Sequence, residues 1–377
     1  MSDITARLAT VELQLLLHCL PVQELLRFAR CNRRLLSAAA APFSWKFTSL
    51  PVDILDWHGR PCVPPGSNLA ARIAARIPIS VRWVPFCVGL TAEQVRQALA
   101  FIKTVHLREL SLLNAHQLSA AHMTELLSSP VIATQLQSLV LADTANFSEL
   151  NIMPTIARCL PQLTALQIGV GTPEGWVCFA SMPALKTLTV TISKNLPMTE
   201  TRQLGLCRSL RDLTFKLRGT ADTVRCLSGL PPNSLYNLAR FTLVGWRGVD
   251  LFDATGLLKA MPSVHTLTLH QCEAMDSILR NLARVRTRTL QRLVIQLHSN
   301  VAVANFVIQG GRRFVPTAPI ISFLLCAMGQ LRCDLELSMS AADAEACPSL
   351  RDHLEQLRVS WLADASLQSF GDRLRIL

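Results

Sequence analysis

Histidine is the residue type here with the widest catalytic and metal-binding chemistry, and the chain of 377 residues contains nine. Two histidines that bind one metal from a helix are three or four residues apart, so that they share a face. His116 and His122 are six residues apart and do not meet this condition. His265, His270 and His298 occur in or just after predicted strands, with no positioned acid or nucleophile nearby. We expect all of them to be ordinary surface or half-buried residues.

Two glycine-containing stretches could present backbone N–H groups to a phosphate. Residues 169–171, with Gly175 beyond them, follow a predicted strand, but the spacing differs from a dinucleotide fingerprint and Pro173 interrupts it. Residues 310–313, Gly-Gly-Arg-Arg, are better interpreted as a loop. Since the sequence contains no recognisable triad, carboxylate pair or metal constellation, we expect no enzyme activity, no metal site and no cofactor.

The twelve cysteines are dispersed, without a CxxC pair or a Cys/His cluster of zinc-binding spacing. The first 20 residues include Asp3, Arg7 and Glu12, which argues against a secretory signal. We therefore expect reduced thiols and an intracellular protein, cytoplasmic or nuclear. The apolar run Ile320–Met328 is far shorter than the roughly 20 residues of a membrane-spanning helix, so no transmembrane segment is predicted.

The composition predicts a folded, basic protein. Half of the residues are hydrophobic and 17% are charged, which is ample material for a continuous core. The net charge is +11, with small concentrations of arginine at 284–292 and 312–313. A nucleic-acid reader usually combines a dense basic stripe with aromatic residues, whereas this chain has one tyrosine. The pattern favours a solvated basic surface over binding to RNA or to an acidic partner.

A motif of the form apolar-x-x-apolar-x-apolar recurs along the chain. Its first residues, 22 to 29 positions apart, are Leu107, Leu136, Leu163, Leu185, Leu210, Leu238, Val264 and Leu290. This spacing is typical of leucine-rich repeats, in which each unit is a strand and a returning helix. A lone unit cannot bury enough apolar surface to fold, so the repeats must stack. Over residues 78–377 the sequence resembles the leucine-rich repeat family.

This resemblance implies an α/β fold. It is a leucine-rich repeat solenoid, with parallel strands on the concave face and helices on the convex face. Pro161, Pro183 and Pro262 each stand two residues before a motif, where proline ends the helix and turns the chain. An additional atypical strand is expected near Val81 and Trp83. Residues 354–359 resume the motif, so another strand is expected there.

The family often has Asn or Cys three positions after the third apolar residue, where it bonds the neighbouring backbone. Cys272 fits this pattern. The other repeats have different residues there, namely Ala115, Thr144, Gly171, Ser193, Arg218, Trp246 and His298. We therefore expect this ladder of buried side-chain bonds to be largely missing and the solenoid to be irregular.

The first 47 residues follow a helical pattern instead. Apolar residues spaced i, i+3, i+4, i+7 occur at Leu13, Leu16, Leu17 and Leu20, and again at Val22, Leu25, Leu26 and Ala29. With Leu20-Pro21-Val22 between them, the segment resembles an F-box, which is all-α. In that family these helices bind the adaptor subunit of a cullin–RING ubiquitin ligase. The resemblance implies adaptor contacts at Leu20, Pro21, Val22, Leu25 and Leu26. Alternatively, the helices only cap the first repeat.

Three regions are therefore predicted: an F-box-like segment at 1–47, a connector with atypical first repeats at 48–105, and leucine-rich repeats at 106–377 with an irregular insertion near 300–320. Residues between the apolar positions should point outward on the strand face. The candidate target-binding residues are Arg108, Lys186, Thr189, Arg211, Thr214, Arg240, Thr242, His265, Thr268 and Arg292. Threonine recurs at the fifth motif position in four consecutive repeats, either because it suits exposed strands or because it forms a flat binding floor edged by Arg and Lys.

The function predicted from these features is substrate recognition. The protein would recruit a target protein through its repeats to a cullin–RING (SCF-type) ubiquitin ligase, and would be monomeric apart from that complex. The alternative is a leucine-rich repeat scaffold or inhibitor with no ligase link. A third possibility is a repeat protein bound to RNA or to a membrane surface through its positive charge.

Overall fold

The structure is a computed structural model that describes part of the chain. The described residues are 50–53, 79–82, 95–96, 99–100, 102–103, 106–112, 118–141, 152–170, 173–192, 202–217, 230–245, 258–270, 289–297, 334–339 and 348–376. The F-box-like segment 1–47, Trp83 and the insertion near 300–320 lie outside them. The same is true of Cys272 and of the other residues at that motif position. The chain divides into two compact units, residues 1–166 and 167–377.

The first unit contains parallel strands that follow one another in chain order, with helices between the later ones. Neighbouring strands pair β1 with β2, β2 with β3 and β3 with β4. Its elements are β1 (Leu50–Asp53), β2 (Ile79–Arg82), β3 (Leu107–Ser111), α1 (Ala120–Leu127), α2 (Pro130–Gln135), β4 (Ser138–Leu141) and α3 (Met153–Cys159). The early strand expected near Val81 is therefore present, as β2. Strand β5 (Ala165–Val170) spans the boundary between the units.

The second unit repeats the same arrangement. Its strands β6 to β12 are parallel, and each pairs with the next in chain order. Its elements are α4 (Pro173–Phe179), β6 (Thr187–Ile192), a 3-10 helix (Arg202–Leu206), β7 (Asp212–Leu217), β8 (Arg240–Val244), β9 (Thr266–His270), β10 (Arg292–Leu297), β11 (Asp334–Met339), α5 (Pro348–Ala363), α6 (Gln368–Arg373) and β12 (Leu374–Ile376). This one-strand-per-repeat order fits a leucine-rich repeat solenoid, as the motif spacing predicts.

The recurring motif forms the core. In all eight motifs the first, fourth and sixth residues are buried, each at most 3% exposed. The fourth residues stand in register across neighbouring strands, as Leu213, Phe241, Leu267 and Leu293 do in the second unit. Each of these side chains therefore has a counterpart in the next repeat to cover it, and the burial of one repeat depends on the presence of another.

Aromatic rings join several repeats of the second unit. Trp176, on α4, stacks on Phe215 of β7 with ring centroids 6.2 Å apart. Phe215 in turn meets Phe241 of β8 edge to face at 6.0 Å, and Trp176 meets Phe179 at 5.6 Å. All four rings are fully buried, so each adds a large apolar contact area to the core.

A short hydrogen-bonded turn precedes strands β5 to β9, and the second position of such a turn favours proline. The first motif residue donates its N–H to the carbonyl three residues earlier, for example Leu185 to Met182 at 3.2 Å and Val264 to Met261 at 3.2 Å. Pro183 stands at the second position of the former turn. The prolines thus act as the sequence suggests, since they close a turn between two buried residues.

Side chains in these turns connect adjacent repeats. Asn237 donates through Nδ2 to the carbonyl oxygen of Arg208, one repeat earlier, at 2.7 Å. Ser209 bonds the carbonyl of Pro183 in the same way. These bonds form a lateral ladder at the turn before the strand, in a place that the family pattern does not point to.

One prediction about the repeats is wrong. Residues 354–359 form part of helix α5, and the last strands are β11 and β12. The spacing of Leu354 and Trp361 explains the error, because residues seven apart share a helix face and both are buried. In the last repeat, Gly371 stands at the first motif position, and a Cβ there would lie 2.8 Å from Cδ2 of Leu362. The side chain of Leu362 thus lies where other repeats place their own apolar residue.

A glycine at the end of β8 provides a test of this packing. Gly245 has a φ of +75°, and an added Cβ would lie 2.7 Å from the carbonyl oxygen of Leu217. We predict that Gly245→Ala lowers the free energy of unfolding by about 2 kcal/mol or more, because backbone strain and a backbone clash add together. Urea denaturation followed by circular dichroism measures this, with Ser263→Ala at an exposed turn as the control. Coincident unfolding curves for Gly245→Ala and the natural protein would contradict the prediction.

Candidate protein-binding face

Four threonines in register form the centre of the candidate site. Thr189, Thr214, Thr242 and Thr268 lie side by side on β6 to β9, and we call them the threonine row. They face away from the core because alternate residues of a strand point to opposite sides of the sheet. All four are half-buried, and their side-chain hydroxyls have no hydrogen-bond partner among the described residues. The row is therefore an uncharged surface of methyl groups and free hydroxyls.

A charged row lies beside the threonine row, two residues nearer the start of each strand. Arg240 on β8 forms a two-pronged ion pair with Asp212 on β7, with Nε to Oδ1 at 2.5 Å and Nη2 to Oδ2 at 2.7 Å. This bonding raises the pKa of the Arg240 guanidinium. Thr187 on β6 also donates to Asp212, at 3.4 Å. The positive charge of Arg240 is thus neutralised by the Asp212 carboxylate.

A second group of ion pairs lies at the far end of the sheet. Arg292 on β10 bonds the carboxylate of Glu336 on β11 through both Nε and Nη2. Glu336 stands beside Val294 in the continuation of the threonine row, and its side chain is 8% exposed. Arg375 on β12 lies 3.6 Å from Asp334, also on β11. Two arginines and two carboxylates therefore balance their charges at this end.

The structure separates the predicted target-binding residues into groups. The four threonines, Arg240 and Arg292 share the strand face of the second unit. Lys186, Arg211 and His265 stand immediately before their strands, and their carbonyls accept N–H groups of the next repeat, as Arg211 does from Ala239 at 2.7 Å. The imidazole Nδ1 of His265 lies 3.0 Å from Thr266 Oγ1. Whether any of these residues binds a target stays a prediction.

Arg108 is placed apart from that group, since it belongs to the first unit. It lies on β3, and its Nε donates to Oε1 of Gln137 at 2.9 Å. The predicted adaptor contacts, Leu20, Pro21, Val22, Leu25 and Leu26, lie outside the described residues.

Sequence reasoning missed the residues contributed by β11. The register places Leu335 and Leu337 at the fourth and sixth motif positions, so the first position falls at Arg332 instead of an apolar residue. The three-residue apolar motif is therefore incomplete at β11. The alternation of Leu335 and Leu337 with acidic residue Glu336 between them was the only sign of a strand, and it is a weak one.

The described histidine, glycine and cysteine residues that were considered for chemistry have structural roles. The backbone N–H of His122 donates to Ser119 Oγ, and the imidazole Nδ1 of His122 accepts from the N–H of Ser119, which together cap the start of α1. Gly175 lies inside α4. Burial raises the pKa of the Cys207 thiol to about 12, so this thiol stays protonated at neutral pH. His116, His298 and the stretch 310–313 lie outside the described residues.

Neither a metal-binding cluster nor a membrane-spanning helix occurs in the part of the chain that the structure describes. No group of three or more His, Cys, Asp or Glu is placed to hold a metal ion. A helix with the length and apolar character needed to cross a membrane is also missing from that part.

Comparison with known proteins gives similarity to solved structures. No protein-family model and no curated protein sequence matches the chain. Among solved structures, the chain is similar to the leucine-rich repeat-containing protein LegL7 from Legionella pneumophila. The two are 17% identical with a TM-score of 0.41, over 74% of this chain and 98% of that one. The assignment of the repeat architecture to this chain rests on its own strand order, register and buried motif residues.

The two ion pairs on the face should differ in their contribution to stability. We predict that Arg292→Met lowers the free energy of unfolding by about 1–3 kcal/mol, because it leaves the nearly buried Glu336 carboxylate without this partner. Arg240→Met should cost less than about 1 kcal/mol, since Arg240 is 63% exposed and Asp212 22% exposed. Chemical denaturation measures both. Adding Glu336→Gln to Arg292→Met should recover stability, and equal losses for the two arginines would contradict the prediction.

Proposed function

We propose that this chain is a non-catalytic protein-binding adaptor whose repeats hold a target protein on the strand face. The observation that carries the proposal is the threonine row, a line of free hydroxyls on a sheet whose opposite side is filled with the core. Such a surface can form hydrogen bonds with a partner's backbone and polar side chains without first breaking bonds of its own. The packed core on the other side of the sheet holds the face in one shape, so binding costs little conformational entropy in the face.

The dimensions of the face indicate how much surface takes part. Six strands from β6 to β11, about 4.8 Å apart and about 18 Å long, give a floor of roughly 430 Å². A stable protein interface buries about 800 Å² on each partner. The residues that precede the strands, such as Lys186, Arg211 and His265, must therefore also contact the target.

The proposed destination of the target is a cullin–RING ubiquitin ligase. This step is supported by the sequence of residues 1–47, whose apolar spacing and Leu20-Pro21-Val22 centre resemble an F-box. The N-terminal segment would bind the ligase adaptor subunit while the repeats bind the target. The contribution of the chain to the reaction would then be proximity, since the ligase chemistry belongs to other subunits. The alternative is a repeat scaffold or inhibitor that binds a partner without a ligase.

Filling the threonine row tests the protein-binding proposal. We expect Thr214→Arg/Thr242→Arg to lower the amount of each partner protein recovered by cross-linking to the full-length protein at least about tenfold. The reason is that the two arginine side chains obstruct the centre of the face. Thr124→Arg/Gln356→Arg adds the same charge at exposed positions on α1 and α5 and should leave these partners unchanged. Quantitative mass spectrometry of the cross-linked proteins gives the comparison. Equal recovery with both double variants would contradict the proposal.

A direct binding measurement tests the ligase step. The full chain should bind the purified adaptor subunit, and Pro21→Glu/Leu25→Glu/Leu26→Glu should abolish binding because it places charges on an apolar contact surface. Calorimetry measures the affinity, and target cross-linking by the same variant serves as the control. If the natural chain does not bind the adaptor while target cross-linking persists, the scaffold alternative replaces the ligase proposal.

A further inference from the structure

The cations on the strand face of the second unit are of two kinds. Arg240, Arg292 and Arg375 are paired with carboxylates of the same face. Lys186 and Arg211 are exposed and have no ion pair or side-chain hydrogen bond among the described residues. Their charges are available to a partner, whereas the charges of the paired arginines are already neutralised by carboxylates.

The free cations are concentrated on two neighbouring repeats. The Arg211 N–H donates to the Lys186 carbonyl at 2.8 Å, so these two residues are adjacent across the repeats of β6 and β7. Lys216 stands near the other end of β7, is half-buried, and likewise lacks a partner in the described part of the chain. The face is therefore positive at β6 and β7 and neutral at β10 to β12.

The spacing of these cations defines a recognition length. Arg211 immediately precedes β7 and Lys216 lies near the other end of that strand, five residues later, which is about 17 Å of extended chain. Thr214 lies between them on the outward side. A chain segment crossing this part of the face would meet the Arg211 cation, then Asp212 bonded to Arg240, then the free hydroxyl of Thr214, and then the Lys216 cation.

The surroundings favour a protein segment over a nucleic acid. Single-stranded nucleic acid is usually held by aromatic side chains on which the bases stack. On α4 and strands β6 to β8 the aromatic residues Trp176, Phe179, Phe215 and Phe241 are fully buried in the core, and Tyr236, in the turn before β8, is an exposed aromatic residue among those the structure describes nearby. The surface offers threonine hydroxyls and charges, which suit backbone amides and carboxylates.

We propose that the β6–β7 end of the face recognises an acidic, extended segment of the target protein, with its carboxylates on Lys186, Arg211 and Lys216 and its backbone over the threonine row. This inference rests on the proposed function and specifies its partner. The Asp212–Arg240 pair lies inside this span and supplies no free cation, because Asp212 repels carboxylates and neutralises Arg240.

The test uses a defined acidic probe and matched charge reversals. A fluorescein-labelled oligoglutamate long enough to span about 17 Å is titrated with the full-length protein at low ionic strength, and its anisotropy is followed. Lys186→Glu/Arg211→Glu should weaken binding about twofold to thirtyfold, the range expected for the loss of two exposed ion pairs. Arg158→Glu/Lys259→Glu makes the same change of charge at exposed positions on helical segments and should have little effect.

A second variant reverses the direction of the effect. Asp212→Asn removes the repelling carboxylate and releases Arg240, so it should tighten oligoglutamate binding. Equal weakening by the two charge-reversal pairs would overturn the proposal, since attraction would then follow net charge alone. Tighter binding of an oligothymidylate of matched charge, with the same dependence on Lys186 and Arg211, would overturn it in favour of nucleic acid.

The outcome can be separated from the fate of the proposed function. If Thr214→Arg/Thr242→Arg removes the cross-linked partners but Lys186→Glu/Arg211→Glu does not, the acidic subsite is wrong and protein binding on the face stands. If the threonine variants retain every partner, the proposed function fails whatever the oligoglutamate result.

Discussion

The mutual burial of neighbouring repeats is the constraint on which the rest of this structure depends. Each of the eight repeats with the complete motif contributes three apolar residues that are at most 3% exposed, and the fourth residues stand beside their counterparts in the neighbouring repeats. A single repeat of about 26 residues could not offset its own loss of conformational entropy with so few buried side chains. Stacked aromatic rings such as Trp176 and Phe215, and turn bonds such as that of Asn237 to Arg208, add further connections between repeats.

The outward face is a consequence of the same register. When the fourth and sixth motif residues point into the core, the residues between them must point outward, and equal repeats place equal positions in a line. The threonine row and the charged row beside it arise in this way. Parallel strands also bring Asp212 next to Arg240 and Arg292 next to Glu336, although these residues are 28 and 44 positions apart in the chain. The face is consequently neutral where carboxylates are available and positive where they are not.

The sequence was sufficient to predict the strands from β3 to β10, because each of them has the complete three-residue apolar motif and the motifs recur every 22 to 29 residues. Prediction from the sequence failed where the apolar side chain at a motif position comes from a different part of the chain. Gly371 stands at the first position of the last repeat, and Leu362 of α5 lies against it, so the strand β12 gives no motif signal. Leu354 fits both a strand motif and a helix face, and only the observed packing of α5 decides between them.

For the candidate site, the sequence predicted which residues face outward but not which of them are free. Arg211 and Arg240 both fall between the first and fourth residues of their motifs, yet Arg240 is bonded to Asp212 and Arg211 is not. The difference depends on which side chains the neighbouring repeats place within reach, and that is a property of the register. The function of residues 1–47 remains a proposal from their resemblance to an F-box.

Hydrogen exchange of a protein altered in mid-array tests the central claim most directly. Phe241 lies on β8 between repeats and touches Phe215, so Phe241→Ala removes a contact that two repeats share. If the repeats stabilise one another, amide protection should fall together in β7, β8 and β9, as in a chain of coupled neighbours. Loss of protection confined to β8, with β7 and β9 as slow as in the natural protein, would contradict the account.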